Sequence, residues 1–223
     1  MVDLRKEEMV VAGTFITVEG PDGAGKTSVL TQLLPQLKQH FNQRVILTRE
    51  PGGAKISEKI RDVILNPKFT EMDARTEALL YAASRRQHLV EVILPALARD
   101  EVVVCDRFVD SSVAYQGGGR QIGEEAVLAM NQFATGGLNP DLTLYLDVPV
   151  EVGLARIRQY RQNQFDRLDQ ETVEFHQRVS AAYQRLLAAN PERIIAIDAT
   201  RELAEVTEEC LAVLKAKLPA LWQ

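Results

Sequence analysis

Five short segments of the chain are almost continuously apolar, without the alternation of apolar and polar residues that marks a half-exposed strand. Each segment is rich in β-branched and other apolar side chains, which is typical of strands covered on both faces. The segments are Thr14–Glu19, Arg44–Thr48, Val102–Asp106, Leu142–Asp147 and Arg193–Asp198. The pattern therefore predicts five buried β-strands.

Segments with helical periodicity lie between these strands. In residues 75–97, apolar side chains at helical spacing predict one buried helix face, formed by Leu79, Ala83, Val90, Ile93 and Leu97. Strands that alternate with helices indicate parallel β-α-β units, and hence an α/β fold with a doubly wound five-stranded parallel sheet flanked by helices. No repeat or linker interrupts the chain, so its 223 residues are expected to form a single domain.

A glycine-rich segment, GPDGAGKT, follows the first predicted strand and precedes a helical segment. It matches G-x-x-x-x-G-K-[ST] at every specified position, and such loops bind phosphate groups through backbone N–H groups and the positive end of the next helix. Lys26 is expected to contact the β- and γ-phosphates, and the hydroxyl of Thr27 to bind Mg²⁺. The predicted nucleotide-binding residues are Gly20, Pro21, Asp22, Gly23, Ala24, Gly25, Lys26 and Thr27.

Phosphate-binding loops occur in switches, motors and kinases, so the loop alone does not define the reaction. A GTPase would need a D-x-x-G motif for its metal site and an N-K-x-D motif for guanine, and the sequence has neither outside the loop. A motor or AAA-type ATPase would usually be larger. These features leave a small-molecule phosphotransferase, a P-loop enzyme, as the predicted class.

The overall composition is typical of a soluble globular protein: 46% of the residues are hydrophobic, 26% are charged and the formal net charge is −5. The longest apolar runs fall far short of the roughly 20 residues that a membrane span requires. Lysine and arginine are scattered, which argues against nucleic acid as a partner. Cys105 and Cys210 lie far apart without metal-ligand spacing, and with no secretory signal at the N-terminus they indicate free thiols in a cytoplasmic protein.

Charged residues directly follow several predicted strands, at the sheet edge where α/β proteins bind ligands. Asp106 ends the third strand, where its carboxylate can bind Mg²⁺ directly or through water. Arg49 lies in the segment TREPGG after the second strand and is expected at the same edge. Tyr81 and Arg85 are four residues apart on the long helix, so they could stack on a base and bind a phosphate, or form a surface pair.

A polar helix face is predicted after the third strand. If a helix begins at about Arg107, then Arg107, Ser111 and Tyr115 lie on one face. Ser112 and Gln116 then lie on the neighbouring stripe. This arrangement favours a ligand site, although a solvated helix surface would have the same pattern. The three glycines that follow indicate a mobile segment.

The segment RIRQYRQNQFDRLDQ, residues 156–170, is rich in arginine and has no sustained apolar face. It is interpreted either as a lid whose arginines close on the transferred phosphoryl group or as a solvated connection between two helices. The candidate arginines are Arg156, Arg158, Arg161 and Arg167. Sequence position does not rank them, and Arg158 is taken as the catalytic one.

Six segments of the chain resemble bacterial thymidylate kinases and occur in the order found in that family: VEGPDGAGKT, TREPGG, YAASRRQHL, CDRFVDSSVAYQG, NPDLTLYLDV and DRLDQE. The resemblance extends from about Thr14 to beyond Tyr183. It implies a nucleoside monophosphate kinase fold with a lid, and usually a homodimer. It also implies transfer of the γ-phosphoryl group of ATP to dTMP, with Mg²⁺, in dTTP synthesis for DNA replication.

The resemblance also implies roles for individual residues. The dTMP-binding residues would be Arg49, Tyr81, Arg85, Arg107, Ser111, Ser112, Tyr115 and Gln116. Among them the three arginines resemble the groups that hold the acceptor monophosphate, and the tyrosine at 81 resembles the ring that stacks on thymine. The catalytic residues would be Lys26, Arg107, Arg158 and Asp22, the last of which resembles the acid near the acceptor sugar.

Two further features follow from the resemblance. Family members without an arginine in the phosphate-binding loop place a basic residue in the lid, which agrees with Gly23 and Ala24 in this loop. Residues 1–12 exceed the usual start and are interpreted as an N-terminal extension, with Met9 as an alternative initiator.

Two alternative functions fit parts of the sequence. A deoxynucleoside kinase on the same fold would phosphorylate a neutral hydroxyl group, which favours a carboxylate base over the arginines of REPGG and SRR. A regulator that binds ATP without phosphoryl transfer would not need the pairs Lys26-Thr27 and Asp106-Arg107. Release of ADP in the presence of different acceptors distinguishes these functions.

Overall fold

The structure, a computed structural model, describes residues 12–160, 167–168 and 170–223. Its strands are β1 (Phe15–Glu19), β2 (Val45–Arg49), β3 (Val102–Asp106), β4 (Leu142–Asp147) and β5 (Ile194–Asp198). They form one parallel sheet in the order β2-β3-β1-β4-β5. The predicted α/β fold and its five strands are confirmed, with each strand within one residue of its predicted bounds.

Helices connect the strands and cover both faces of the sheet. They are α1 (Lys26–His40), α2 (Lys55–Ile64), α3 (Ala74–His88), α4 (Leu94–Ala98), α5 (Val109–Ser112), α6 (Glu124–Thr135), α7 (Val150–Tyr160), α8 (Val173–Ala189) and α9 (Leu203–Lys217). Two π-helical segments, Leu89–Ile93 and Val113–Gly119, continue α3 and α5, and a short 3₁₀ helix spans Pro219–Leu221. No helix in the described part of the chain is long and apolar enough to cross a membrane.

Strand β3 shows why the strand sequences are continuously apolar. Val102 and Val104 pack into one core cluster with α1 and α9, whereas Val103 and Cys105 pack into a second cluster with α4 and α6. Successive side chains of a strand point to opposite faces, so a strand with helices on both sides needs apolar residues at every position.

The helical segment from 74 to 98 differs from its prediction. Ile93 and Leu97 are buried as expected, but the side chain of Leu79 is 60% exposed and that of Val90 is 37% exposed. The buried face of α3 instead carries polar residues, among them Arg85, which bond to partners from distant segments. Apolar periodicity cannot detect such a face, so the predicted stripe was displaced by about one residue.

The polar helix after β3 also differs from its prediction. Arg107 has a left-handed backbone with φ of 69°, and α5 begins two residues later. The three glycines are packed, because a Cβ atom on Gly118 would lie 2.6 Å from that of Ala182 and one on Gly119 would lie 2.7 Å from the ring of Phe175. The prediction that this segment is mobile is therefore wrong, since the glycines allow α8 to approach the backbone closely.

The predicted lid is only partly described. Helix α7 includes Arg156 and Arg158 and extends to Tyr160, so the first residues of the segment are helical. Arg161 and most of the proposed N-terminal extension lie outside the described residues.

Candidate active site

A cavity of about 810 Å³ lies at the carboxyl ends of the strands. It contains most of the predicted site residues: Asp22, Gly23, Ala24, Gly25, Lys26, Thr27, Arg49, Tyr81, Arg85, Asp106, Arg107, Ser111, Ser112, Tyr115 and Gln116. The phosphate-binding loop lines one side of it, and residues from α3 and the segment after β3 line the other. These residues come from four separate segments of the chain, which converge as expected at the ligand-binding edge of a parallel sheet.

The loop between β1 and α1 has the geometry of a phosphate-binding loop. Gly25 precedes the helix with a left-handed φ of 89°, a conformation that glycine adopts without strain. The Nζ atom of Lys26 donates hydrogen bonds to the carbonyl oxygens of Gly20 at 2.9 Å and Pro21 at 2.8 Å. The ammonium group is thereby held over the loop, where β- and γ-phosphates bind in proteins with this motif.

Burial, together with the positive charge of Arg107, lowers the pKa of Lys26 from 10.5 to about 8. The charged form of Lys26 is therefore lost as the pH rises through about 8 in the protein without nucleotide, whereas a bound triphosphate stabilises that form. We expect binding of ATP to weaken by about tenfold between pH 7 and pH 9, as measured by calorimetric titration.

A Lys26→Arg variant is the matched control for this pH dependence, because its guanidinium stays charged throughout the range. An equal loss of affinity in both proteins would show that another group causes the effect.

The residues predicted to hold Mg²⁺ fit that ion chemically. The Oδ1 atom of Asp106 is buried, with no hydrogen-bond partner among the described residues, and the side chain lines the cavity. Thr27, which carries a hydroxyl group, lines the same cavity. Magnesium prefers oxygen ligands and commonly uses one or two protein groups together with substrate phosphates. A carboxylate oxygen without a partner and a hydroxyl group beside a phosphate-binding loop therefore suit this ion.

Arg107 connects the loop to the opposite side of the cavity. Its Nη2 atom lies 2.6 Å from Oδ1 of Asp22, and its Nη1 atom donates to the carbonyl oxygen of Gly20 at 3.0 Å and to Oγ of Ser111 at 3.0 Å. The hydroxyl group of Tyr115 donates to the other oxygen of Asp22 at 2.7 Å. The predicted residues of this group thus meet, although they do not share a regular helix face.

A buried carboxylate supports this group from behind and received no role in the sequence analysis. Glu19, the last residue of β1, accepts hydrogen bonds from the backbone N–H of Phe108 at 2.7 Å and from the hydroxyl groups of Ser111 at 2.5 Å and Tyr183 at 3.0 Å. Burial raises the pKa of Glu19 to about 7, and the negative charge of Asp110 contributes in the same direction. In the sequence, Glu19 stood out only as the acidic end of the first strand and as part of the segment VEGPDGAGKT.

Arg85 lies deeper than predicted, with only 2% of the residue exposed. Its Nε atom donates to Glu50 at 2.7 Å, Nη1 donates to Oγ of Ser112 at 3.1 Å and to Asn131, and Nη2 donates to the carbonyl oxygen of Phe108 at 3.0 Å. Four of its five N–H groups thus have partners within the protein. A bidentate contact with a phosphate would require some of these bonds to break, and the predicted phosphate-binding role of Arg85 stays a prediction.

Other predicted acceptor residues border the same side of the cavity. The side chain of Arg49 is partly exposed and donates to the carbonyl oxygen of Pro51 at 2.9 Å and to Glu58 at 3.0 Å. Tyr81 is half-buried. Gln116 is buried, and its amide nitrogen donates to Glu77 at 2.8 Å.

The lid arginines are placed differently from one another. Arg156 lines the cavity and donates to the carbonyl oxygen of Ala199 at 3.0 Å. Arg158 is exposed on α7 and is not among the residues that line the cavity, so its catalytic role stays a prediction. Arg167 is buried, where it pairs with Glu77 and donates to the carbonyl oxygen of Ile64 at 2.9 Å.

The parallel sheet, with its phosphate-binding loop between β1 and α1, places the protein in the α/β class of P-loop NTPases. The family model described as "Thymidylate kinase" matches residues 18–210. The chain therefore belongs to the thymidylate kinase family.

Individual relatives agree with this assignment. A thymidylate kinase from Lacticaseibacillus casei (strain BL23) is 66% identical over 213 residues, which cover 95% of this chain and 100% of that protein. One from Latilactobacillus sakei subsp. sakei is 63% identical over 204 residues, or 92% of this chain and 95% of the relative. The crystal structure of thymidylate kinase from Ehrlichia chaffeensis superposes with a TM-score of 0.74 at 31% identity, covering 91% of this chain and 98% of the other.

Proposed function

We propose that the cavity binds ATP and dTMP end to end and that the side chains around it promote transfer of the γ-phosphoryl group to give ADP and dTDP. Phosphorylation of dTMP by ATP is the activity of the family to which the chain belongs. The observation that carries the proposal is the Arg107–Asp22 pair within the cavity. This pair joins the phosphate-binding loop to the opposite side of the cavity, which we call the acceptor side because dTMP is proposed to bind there.

The main obstacle to this reaction is repulsion between two anions, because a triphosphate and a monophosphate must meet in line. Lys26 is placed to neutralise the β- and γ-phosphates, and Arg107 to neutralise the acceptor phosphate and the transferred group. Thr27 and Asp106 are the residues that would hold Mg²⁺, which when bound spreads the negative charge of the phosphates. Such groups lower the barrier because they are oriented before the charge develops.

The acceptor does not require a strong general base. A phosphate monoester has its second pKa near 6, so the acceptor oxygen is largely deprotonated at neutral pH. The raised pKa of the buried Glu19 therefore need not mark a base. The contacts of Glu19 with Ser111 and Phe108 instead fix the start of α5, and with it the position of Arg107.

The acceptor side determines which nucleotide is phosphorylated. We infer that Tyr81 stacks on the base, while Ser112 and Gln116 contact its polar edge and Arg49 and Arg85 contribute positive charge. Recognition of the thymine methyl group in an apolar pocket is worth roughly 1–3 kcal/mol.

The decisive experiment measures ADP release from ATP and Mg²⁺ with dTMP, dUMP, dCMP, AMP, GMP and thymidine. We expect dTMP to give the highest kcat/KM, with dUMP about 10- to 200-fold lower because it lacks one methyl group. Turnover of thymidine in place of dTMP would support a deoxynucleoside kinase, and no turnover of any acceptor would support a binding protein. Either result would contradict the proposed function.

We also propose that the protein is a homodimer that works in the cytoplasm. Leu79 on α3 and Leu128 and Phe133 on α6 are exposed apolar residues, with 92% of Phe133 accessible. Because α3 and α6 pack against each other, these side chains suit a covered interface. The buried free cysteines Cys105 and Cys210 suit a reducing compartment. Analytical ultracentrifugation that gives the mass of a monomer at micromolar concentration would contradict the dimer.

A further inference from the structure

Three residues of the TREPGG segment, Thr48, Glu50 and Gly53, have no part in the function described so far. In the fold all three lie against one buried side chain, that of His88 at the end of α3. The Oγ1 atom of Thr48 lies 2.6 Å from Nε2 of His88, and Oε1 of Glu50 lies 3.0 Å from Nδ1. A Cβ atom on Gly53 would come within 2.5 Å of the imidazole ring, so the ring occupies the space that this glycine leaves.

The second oxygen of Glu50 extends this contact to the cavity. Its Oε2 atom accepts a hydrogen bond from Nε of Arg85 at 2.7 Å. Thr48, His88, Glu50 and Arg85 thus form a continuous chain of hydrogen bonds, which we call the Arg85 support chain. Each of its members is at least nine-tenths buried, and Arg85 lines the cavity beside Ser112.

A neutral imidazole ring in His88 gives a consistent set of donors and acceptors along the Arg85 support chain. An ionised carboxylate only accepts hydrogen bonds, so Arg85 and His88 both donate to Glu50, the latter from Nδ1. The Nε2 atom of His88 then carries a lone pair and accepts the hydrogen bond of the Thr48 hydroxyl group. Each side chain thereby fixes the orientation of the next one, and the last group in the series is the guanidinium of Arg85.

We propose that Glu50 and His88 are positioning residues that hold Arg85 in the orientation in which it contacts the acceptor nucleotide. A free arginine side chain samples many rotamers, and holding it before binding removes the cost of ordering it when the nucleotide arrives. Thr48 and Gly53 serve this arrangement by orienting the imidazole ring and by making room for it. The proposal rests on the proposed function, because it assumes that the cavity side of Arg85 binds dTMP.

The first test replaces the histidine. In His88→Phe an aromatic ring is kept but both hydrogen bonds are lost, and we expect KM for dTMP to rise about 10- to 100-fold. KM for ATP should stay within about twofold, because Lys26 is held by carbonyl oxygens of the phosphate-binding loop itself and not by the Arg85 support chain. In His88→Asn the amide nitrogen can donate in place of Nδ1, so KM for dTMP should stay within about threefold of the wild-type value.

Thr48→Val provides an independent variant that keeps the shape of the side chain and removes only its hydroxyl group. We expect a smaller rise of KM for dTMP in this variant, with KM for ATP unchanged. If His88→Phe does not fold, Thr48→Val and His88→Asn decide the question. An unchanged KM for dTMP in Thr48→Val would then overturn the proposal.

Ser57→Ala is the matched control. Its hydroxyl group is buried and donates to the carbonyl oxygen of Ser84, next to Arg85 on α3, at 2.8 Å, but Ser57 is not a member of the Arg85 support chain. This variant should lose thermal stability without any change in KM for dTMP. If His88→Phe and Thr48→Val lose stability in the same way and also keep the wild-type KM, the chain is merely structural and the proposal is wrong. Failure of the wild-type protein to form dTDP would instead overturn the proposed function.

Discussion

Replacement of Arg107 by alanine is expected to lower kcat for dTMP phosphorylation by at least about 10²- to 10³-fold, while the Kd for ATP changes by less than about threefold. The side chain lies between the phosphate-binding loop and the acceptor side, with contacts to Asp22, Gly20 and Ser111. In the proposed reaction, the charge of Arg107 therefore acts where the two anions meet. Steady-state kinetics with dTMP and calorimetric titration with ATP measure the two quantities separately.

Two further variants define the role of Arg107. Arg107→Lys keeps the charge without the planar fork and should give an intermediate kcat. Arg99→Ala removes an exposed arginine before β3, paired with Glu101 at 2.9 Å, and should leave both quantities unchanged. The assignment is wrong if Arg107→Ala weakens the binding of ATP but leaves kcat at saturating ATP normal.

Replacement of Glu77 by alanine is expected to lower the free energy of unfolding by about 3–5 kcal/mol. Glu77 is fully buried, accepts a hydrogen bond from Gln116 and pairs with Arg120 at 2.9 Å and with Arg167. In Glu77→Ala, the largely buried side chains of Arg120 and Arg167 lose the carboxylate with which both of them pair. Urea denaturation followed by circular dichroism measures the effect.

Glu124→Ala is the matched control for this measurement. Glu124 pairs with Arg185, whose side chain is 58% exposed, and surface pairs of this kind contribute about 0–1 kcal/mol. Similar losses in Glu77→Ala and Glu124→Ala would contradict a dominant role for the buried cluster. Because Gln116 lines the cavity, Glu77→Ala should also raise KM for dTMP in the fraction of protein that folds.

The sequence predicted those parts of the molecule that depend on local patterns. The five strands were found because each lies between two helical layers and must be apolar on both faces. The phosphate-binding loop was found because its glycines and Lys26 act within one short segment. The eight acceptor-binding residues that the resemblance to thymidylate kinases implies all line the cavity, and the family assignment is confirmed.

The buried polar contacts could not be predicted in the same way, because their partners lie far apart in sequence. Glu19 and Tyr183 are separated by 164 positions, and Glu77 and Arg167 by 90. On α3, polar residues such as His88 occupy the face that periodicity assigns to solvent, which explains the displaced apolar stripe. The spacing of residues along a short segment therefore cannot predict such pairs, which come together only in the folded protein.

The close packing of the glycine segment against α8 makes the active site sensitive to a change that removes no polar group. A methyl group at Gly118 would meet Ala182, one position before Tyr183 on the same helix. To admit it, α8 would have to shift outward and carry the tyrosine hydroxyl away from Ser111, now 2.9 Å distant. Steric volume added between the glycine segment and α8 would thus propagate through Ser111 to Arg107.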